Sequence, residues 1–389
     1  MTGGGRGQRY RSQASIHEGS LVTHQKPGSF AKTVTCGLAE SCRLCRGTGL
    51  HTMPCLPFVR FLPHTLHALP CGHGRHRQRA PLSNLPCTSR YHWAMFSYRH
   101  AFHAGNHADV LKHTVLIAAL QHLTEKDAAL TVLDTHAGAG LYRLDGDYAS
   151  TSGEAADGVA RLFAPTAPAL TPALQAYVDM VRAFNQGSTL RVYPGSPFIS
   201  QRLLRDHDKL KLFELHPTDL RALAGNVAQL EAGRQVAVLH EDGFEGIRKF
   251  LPPPARRALV LCDPSYEIKS DYGKVLDMAA DSLKRFATGT YAFWYPIIPR
   301  PEAHNLPRRL KTLATKAGKG WLHATLTVKN SKPTENAAGD LKRPGLPASG
   351  MFLINPPFTL KAALKTALPQ MVELLGQDKH ATHTLESGG

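Results

Sequence analysis

Hydrophobic and polar positions fall into regular periods only after Met95. Residues 106–123 repeat apolar side chains every three or four positions, which predicts a helix with Val110, Leu111, Thr114, Val115, Ala118 and Ala119 on one face. Short apolar runs at 129–134, 210–214, 235–239, 258–262 and 289–294 read as buried strands. Helical patterns at 217–229, 244–250, 272–286 and 303–317 separate or follow them, and further strands at 321–328 and 351–354 precede a last helix at 360–375. Strands alternating with helices predict an α/β fold built on a mainly parallel, doubly wound sheet. The segment from about 143 to 206 interrupts that alternation, and its clearest periodic stretch, 170–184, makes it a small helical insertion.

Composition divides the chain at the same place. Residues 1–94 hold 12 of the 46 Lys and Arg but only 2 of the 30 Asp and Glu, together with six of the seven cysteines. They are rich in Gly, Pro and His and show no sustained period, so they are expected to form a disordered or non-native extension, with Met95 as the start of the ordered chain. Cys42-x-x-Cys45 followed by Cys71-x-His73-x-x-His76 has zinc-like ligands. The intervening residues contain four prolines and no predicted scaffold, so no metal site is expected there. The remainder, residues 95–389, is only moderately basic, which suits an enzyme that touches RNA without requiring it. A single cysteine, Cys262, in an apolar run suits a reducing compartment, and no apolar stretch is long enough to cross a membrane; the expectation is a cytoplasmic protein.

In doubly wound sheets, ligands sit at the carboxyl ends of the strands. Those ends carry an ordered series here: Asp134-Thr-His136-Ala-Gly138-Ala-Gly140, then Glu214, then Glu241-Asp242-Gly243, then Asp263-Pro264-Ser265-Tyr266. Small residues allow close backbone approach, and a strand-end acid can accept hydrogen bonds from ribose hydroxyls. The phosphate loop Gly-x-Gly-x-x-Gly of dinucleotide enzymes is absent. The series is similar to that of S-adenosylmethionine-dependent methyltransferases, whose cofactor has no pyrophosphate to cradle.

Asp263-Pro264-Ser265-Tyr266 resembles the Asp/Asn/Ser-Pro-Pro-aromatic motif of enzymes that methylate planar amines. The exocyclic amine of adenine is a poor nucleophile because its lone pair is delocalised into the ring. The Asp263 carboxylate and the Pro264 carbonyl can accept its two N–H groups, and Tyr266 can stack on the base. Taken alone, the tetrapeptide also reads as a strand-ending turn with a capping Asp. Ser265 stands where a second proline is usual, which removes φ restriction but no functional group. Asn355-Pro356-Pro357-Phe358 fits the same pattern but follows the last strand, and is read as a structural turn.

With YRHAFHAGNHADVLKH at 98–113 and the later strings LDTHAGAG, YPGSP, ELHP, EDGF, DPSYE, WYP and SGMFLINPP, the chain from Met95 to the last helix resembles the RlmJ family. These are adenine-N6 methyltransferases of large-subunit ribosomal RNA. The resemblance implies a Rossmann-like class I methyltransferase sheet, S-adenosyl-L-methionine as cofactor and 23S rRNA as substrate; separately, the sequence shows no obligate protein partner, and a monomer is expected. The resemblance places Lys112, His113, His136, Ser196, Glu214, Asp242, Gly243 and Asp263 around the cofactor. Asp263, with Pro264 and Tyr266, is the catalytic set, and Tyr98 lies near the target base. The insertion would help embrace the RNA.

Rival readings remain open at this level. His103, His107, Asp109 and His113 have partly helical spacing and could ligate a metal, although Asn106 and Asp109 also fit a helix cap. The amine motif serves DNA adenine or protein glutamine equally well, and a non-catalytic RNA-binding protein could retain the same fold.

Overall fold

The computed structural model describes residues 100–145, 153–187, 189–332, 334–335, 341–342 and 345–389. Tyr98, the boundary at Met95 and the zinc-spaced cysteines and histidines lie outside the described residues.

A short 3-10 turn, His100–Phe102, leads into α1 (His107–Thr124), then β1 (Thr131–Asp134). Between β1 and the next strand of the main sheet lie β2 (Leu141–Arg143), α2 (Val159–Leu162), α3 (Pro172–Arg182), β3 (Val192–Pro194) and α4 (Ser196–Leu203). The main sheet then resumes with β4 (Lys209–Phe213), α5 (Pro217–Ala228), β5 (Val236–Leu239), the single turn α6 (Gly243–Gly246), β6 (Ala258–Cys262), α7 (Ser270–Arg285) and β7 (Thr290–Ile297). It closes with α8 (Pro301–Lys316), β8 (Trp321–Thr327), the two-residue strands β9 (Thr334–Glu335) and β10 (Leu341–Lys342), β11 (Ala348–Ile354), α9 (Leu360–Leu375) and β12 (Thr382–Gly388).

Eight strands form one sheet in the order β12-β8-β11-β7-β6-β1-β4-β5. The five from β5 to β7 are mutually parallel, whereas β11 runs antiparallel to both β7 and β8, and β12 antiparallel to β8. This is the doubly wound, Rossmann-like methyltransferase sheet. Side-chain alternation along the central strands splits the interior in two: Val132, Leu210 and Leu259 face one core, and Leu133, Phe213 and Val260 face the other.

β11 begins at Ala348, three residues before the predicted start, because it pairs with β7 and β8 from there. Three further elements depart from the sequence pattern. First, α1 is buried from His107 to Ile117 around nearly its whole circumference, and Ala118 is not part of its buried set. It lies between β11 and the helices α3, α4 and α9, so no side is left for solvent. Second, β7 continues three residues past the predicted end because β11 pairs along it to Ile297. Pro296 is tolerated there because pairing with β6 has already stopped at Phe293. Third, β12 extends an edge of the sheet that the apolar pattern does not mark.

Candidate active site

Residues that follow β1, β4, β5 and β6 all emerge at one edge of the parallel strands. They line a cavity of about 400 Å³ whose wall includes Lys112, His113, His136, Ser196, Glu214, Asp242 and Asp263, together with Pro264 and Ser265. Gly243 is not in that wall; it lies beneath it. A Cβ at Gly243 would come within 2.0 Å of the Thr135 carbonyl, so α6 can reach the end of β1 only with glycine there. Asp242 caps the same turn, accepting from the Phe244 N–H at 2.9 Å.

The loop after β1 turns through Gly138 at φ +60°, and its N–H donates to Glu214 Oε2 at 2.7 Å. The other Glu214 oxygen accepts from the His216 N–H at 2.7 Å. Burial nevertheless dominates and pushes the Glu214 carboxyl up to about 7. Asp134, fully buried, is pushed up to about 6 by the same cause, although Ser196 Oγ donates to it at 2.6 Å. Burial lowers both His113 and His136 to about 3, so each is a neutral imidazole. His113 Nδ1 is 2.7 Å from the Tyr193 hydroxyl, while its buried Nε2 has no hydrogen-bond partner.

A second cavity of about 240 Å³ adjoins the first and shares His100, Lys112, Asp263 and Ser265 with it. Its remaining wall comes from the start of α1, from Tyr266 and Glu267, and from the end of β7 through Arg300, with Leu346 opposite. Asp263 therefore stands in the partition between two spaces. Lys112 Nζ donates to Asp263 Oδ2 at 2.5 Å and to Asp109 Oδ1 at 2.8 Å. Burial acts to lower the Lys112 ammonium, but the two carboxylates outweigh it and raise it above the usual lysine range. Asp109 also accepts from the Gly105 N–H at 2.8 Å and pairs with His100 Nε2 at 3.0 Å. Burial would raise its carboxyl, but His100 and Lys112 hold it well below the usual range.

Asp109 was a helix-cap candidate from sequence, and here the structure differs. Asn106 alone caps α1, accepting from the Ala108 and Asp109 N–H groups at 3.0 Å each. The Asp109 side chain turns instead toward Lys112 and His100. The histidines spaced along this segment do not converge on a common point. His103 Nδ1 meets Glu154 at 3.0 Å, His107 Nε2 meets the Leu346 carbonyl at 3.0 Å, and His113 meets Tyr193.

Tyr266, read from sequence as able to stack on the base, stands on the wall of the second cavity. Its φ of +54° turns the ring inward, where it packs against Tyr272 with ring centroids 4.6 Å apart, and only 2% of the residue is exposed. Its hydroxyl donates to the Trp294 carbonyl at 2.7 Å, tying the motif to β7. The ring forms part of the second cavity's wall rather than a free platform.

Asn355-Pro356-Pro357-Phe358 lies at the other end of the sheet. Because β11 is antiparallel, its last residue, Ile354, pairs with Tyr291 near the start of β7. Asn355, at φ +51°, donates through Nδ2 to the carbonyls of Ala287 and Gly289 at 3.0 and 2.8 Å. It is a structural turn, remote from Asp263.

Sequence reasoning missed His100, the pairing role of Asp109, Trp294 and Arg300. Asp109 and His100 are visible as letters, but they reach Asp263 only through Lys112, whose bond to it spans 151 positions and has no local signature.

Comparison with known proteins matches residues 127–386 to the family model described as Ribosomal RNA large subunit methyltransferase D, RlmJ. The chain is 42% identical over 275 residues to Ribosomal RNA large subunit methyltransferase J of Escherichia coli, covering 71% of this chain and 92% of that protein. It is 40% identical over 293 residues to the protein of the same name from Haemophilus influenzae, covering 75% and 98%. Among solved structures, a Legionella pneumophila protein matches with a TM-score of 0.64 at 31% identity, covering 74% of this chain and 98% of that one.

Proposed function

The chain belongs to the RlmJ family of large-subunit ribosomal RNA methyltransferases, and from that premise we propose how its own residues perform the family's reaction. It is an S-adenosylmethionine-dependent enzyme that methylates N6 of an adenine in 23S rRNA. The observation that carries the site assignment is the position of Asp263 in the partition between two cavities.

The larger cavity suits the cofactor. Its volume falls within the range of small-molecule sites. Its wall holds acceptors for hydroxyl and amine groups in Glu214 and Asp242, and a buried, unpartnered His113 Nε2. Bound there, S-adenosylmethionine supplies an activated methyl group on a sulfonium centre. Glu214 would take the ribose hydroxyls, and Gly243 and Asp242 would bring the third loop against the adenine of the cofactor. Ser196 would hold Asp134, and His136 would close the wall against Phe244, whose ring centroid is 4.7 Å away.

The smaller cavity would receive the target base, rotated out of its stem. Asp263 presents one carboxylate oxygen to Lys112, leaving the other to accept an N–H of the adenine amine, with the Pro264 carbonyl beside it. Lys112 stays protonated, so it orients the carboxylate and does not take the proton. The proton that leaves N6 as the N–C bond forms passes to the free Asp263 oxygen. Tyr266 fixes the turn through Trp294, and Tyr98 would lie near the entering base. We assign residues 95–389 to the catalytic domain and residues 143–206 to an RNA-facing insertion. We also expect a monomer that works in the cytoplasm; no helix among the described residues is long and apolar enough to cross a membrane.

The test is methyl transfer from labelled cofactor to protein-free 23S rRNA, duplex DNA and a glutamine-containing peptide, with the product nucleoside identified. N6-methyladenine in rRNA alone is expected. Transfer that persists unchanged in Asp263→Ala would overturn the role given to that carboxylate.

A further inference from the structure

We infer that Arg300 binds a backbone phosphate of the target nucleotide while the base occupies the second cavity. The inference rests on the rRNA-methyltransferase reading and adds a phosphate site to it. Arg300 lines that cavity, and its Nη1 donates to the Tyr266 carbonyl at 3.2 Å. The guanidinium is thus attached to the loop that carries Asp263.

The charge pattern distinguishes it from the other cation of the cavity. Lys112 is shared between Asp109 and Asp263, so its charge is already compensated. Arg300 forms no ion pair among the described residues, and the one hydrogen bond its side chain makes there is to a neutral carbonyl. A guanidinium presents five N–H donors in a planar fork that matches a phosphate. An uncompensated one, partly buried at the edge of a nucleotide-sized space, is suited to an anion.

The backbone around it supports the same assignment. Arg300 N donates to the Ile298 carbonyl at 2.7 Å, a tight turn that fixes where the side chain starts. The residue is also the N-cap of the 16-residue helix α8, yet its side chain makes no capping bond. The first turn of that helix already carries the Glu302 carboxylate, so the guanidinium itself, not the helix end, is the anion-binding group here. A phosphate held there would fix the nucleotide's sugar relative to Tyr266 and hence the base amine relative to Asp263. The partner group is a nucleic-acid phosphodiester.

The experiment uses the full-length enzyme, a synthetic rRNA stem containing the target adenine, and stems in which the phosphate on its 5′ or its 3′ side is a neutral methylphosphonate. Wild type is expected to lose roughly tenfold or more in affinity for one of the two neutralised stems. Arg300→Gln should bind the natural stem that much more weakly and be indifferent to the same neutralisation. Its salt dependence should be shallower by roughly 0.7–0.9 in log–log slope. Arg300→Lys should restore part of the affinity. Cofactor affinity, measured by calorimetry, should match wild type in both variants and so report an intact fold. Additive losses in Arg300→Gln and the neutralised stems, or a wild type indifferent to both neutralisations, would overturn the phosphate site. A wild type that does not methylate the natural stem would instead overturn the reading on which the inference rests.

Discussion

The ammonium of Lys112 reaches the Asp263 carboxylate, 151 positions away in sequence, at 2.5 Å, and makes one buried unit of a helix and a strand-end loop. Removing it should hurt twice. Lys112→Met leaves Asp109 and Asp263 buried without their shared cation and should cost about 3–5 kcal/mol of stability. Activity should fall more than about 100-fold because the carboxylate loses its fixed orientation. Denaturant unfolding and initial rates check both. Adding Asp263→Asn to Lys112→Met should recover part of the stability and none of the activity.

Glu214 makes cofactor binding pH-dependent. Its folded-state value of about 7 lies above the unfolded 4.5, so the folded chain retains a proton that the unfolded chain has released. That contribution to stability is fully present below pH 4.5 and is lost as pH rises through about 7. Ribose hydroxyls donate to the ionised form, so cofactor affinity should strengthen as pH rises through about 7, and binding measured below that pH should release a proton. Glu214→Gln should bind more weakly above pH 7 and with a flatter pH profile. Calorimetry in buffers of different ionisation enthalpy measures the proton count.

Ser265→Pro should be nearly silent. The Ser265 N–H donates to no backbone carbonyl among the described residues, so a proline there sacrifices no hydrogen bond. Its chief effect would be to stiffen the unfolded chain, a gain of up to about 1 kcal/mol. A rate within about threefold of wild type, with a slightly higher melting temperature, is expected. A large loss of activity would show that the serine hydroxyl, which borders both cavities, has a function of its own.

Asn355→Ala should separate stability from catalysis in the opposite sense. It deletes two hydrogen bonds to Ala287 and Gly289 and leaves alanine at a left-handed φ, for a cost of about 2–3 kcal/mol. The rate per folded molecule should stay within about twofold of wild type. Thermal unfolding and active-site-normalised rates decide the matter.

Much of this architecture is legible in the chain itself, because a buried parallel strand is an unbroken apolar run and its end is marked by the residue that stops it. Ala258–Cys262 followed by Asp263 is read directly, and β4, where lysines alternate with leucines ahead of Glu214, is read from that alternation. What stays hidden depends on distant partners. In β12, residues such as Thr384 and Glu386 leave alternate positions exposed at a sheet edge, so no apolar run announces it. Tyr266 can be read as an aromatic beside the base, but its anchor on the Trp294 carbonyl, 28 positions away, cannot. Arg300 is one arginine among many until the fold places it on a cavity wall with no ion-pair partner of its own among the described residues.

The antiparallel course of β11 has a further consequence. Thr327, the last residue of β8, and Ala348, the first of β11, face each other in register, and the connection between them carries β9 and β10 and returns through Leu346 to the second cavity. A connection that leaves and rejoins a sheet at neighbouring points can lengthen or shorten without moving any strand, at an entropic cost that grows only logarithmically. Its return is pinned at one point, where the Leu346 carbonyl meets His107 Nε2 at the start of α1, so a change of length keeps the base-sized space intact only while that contact is kept.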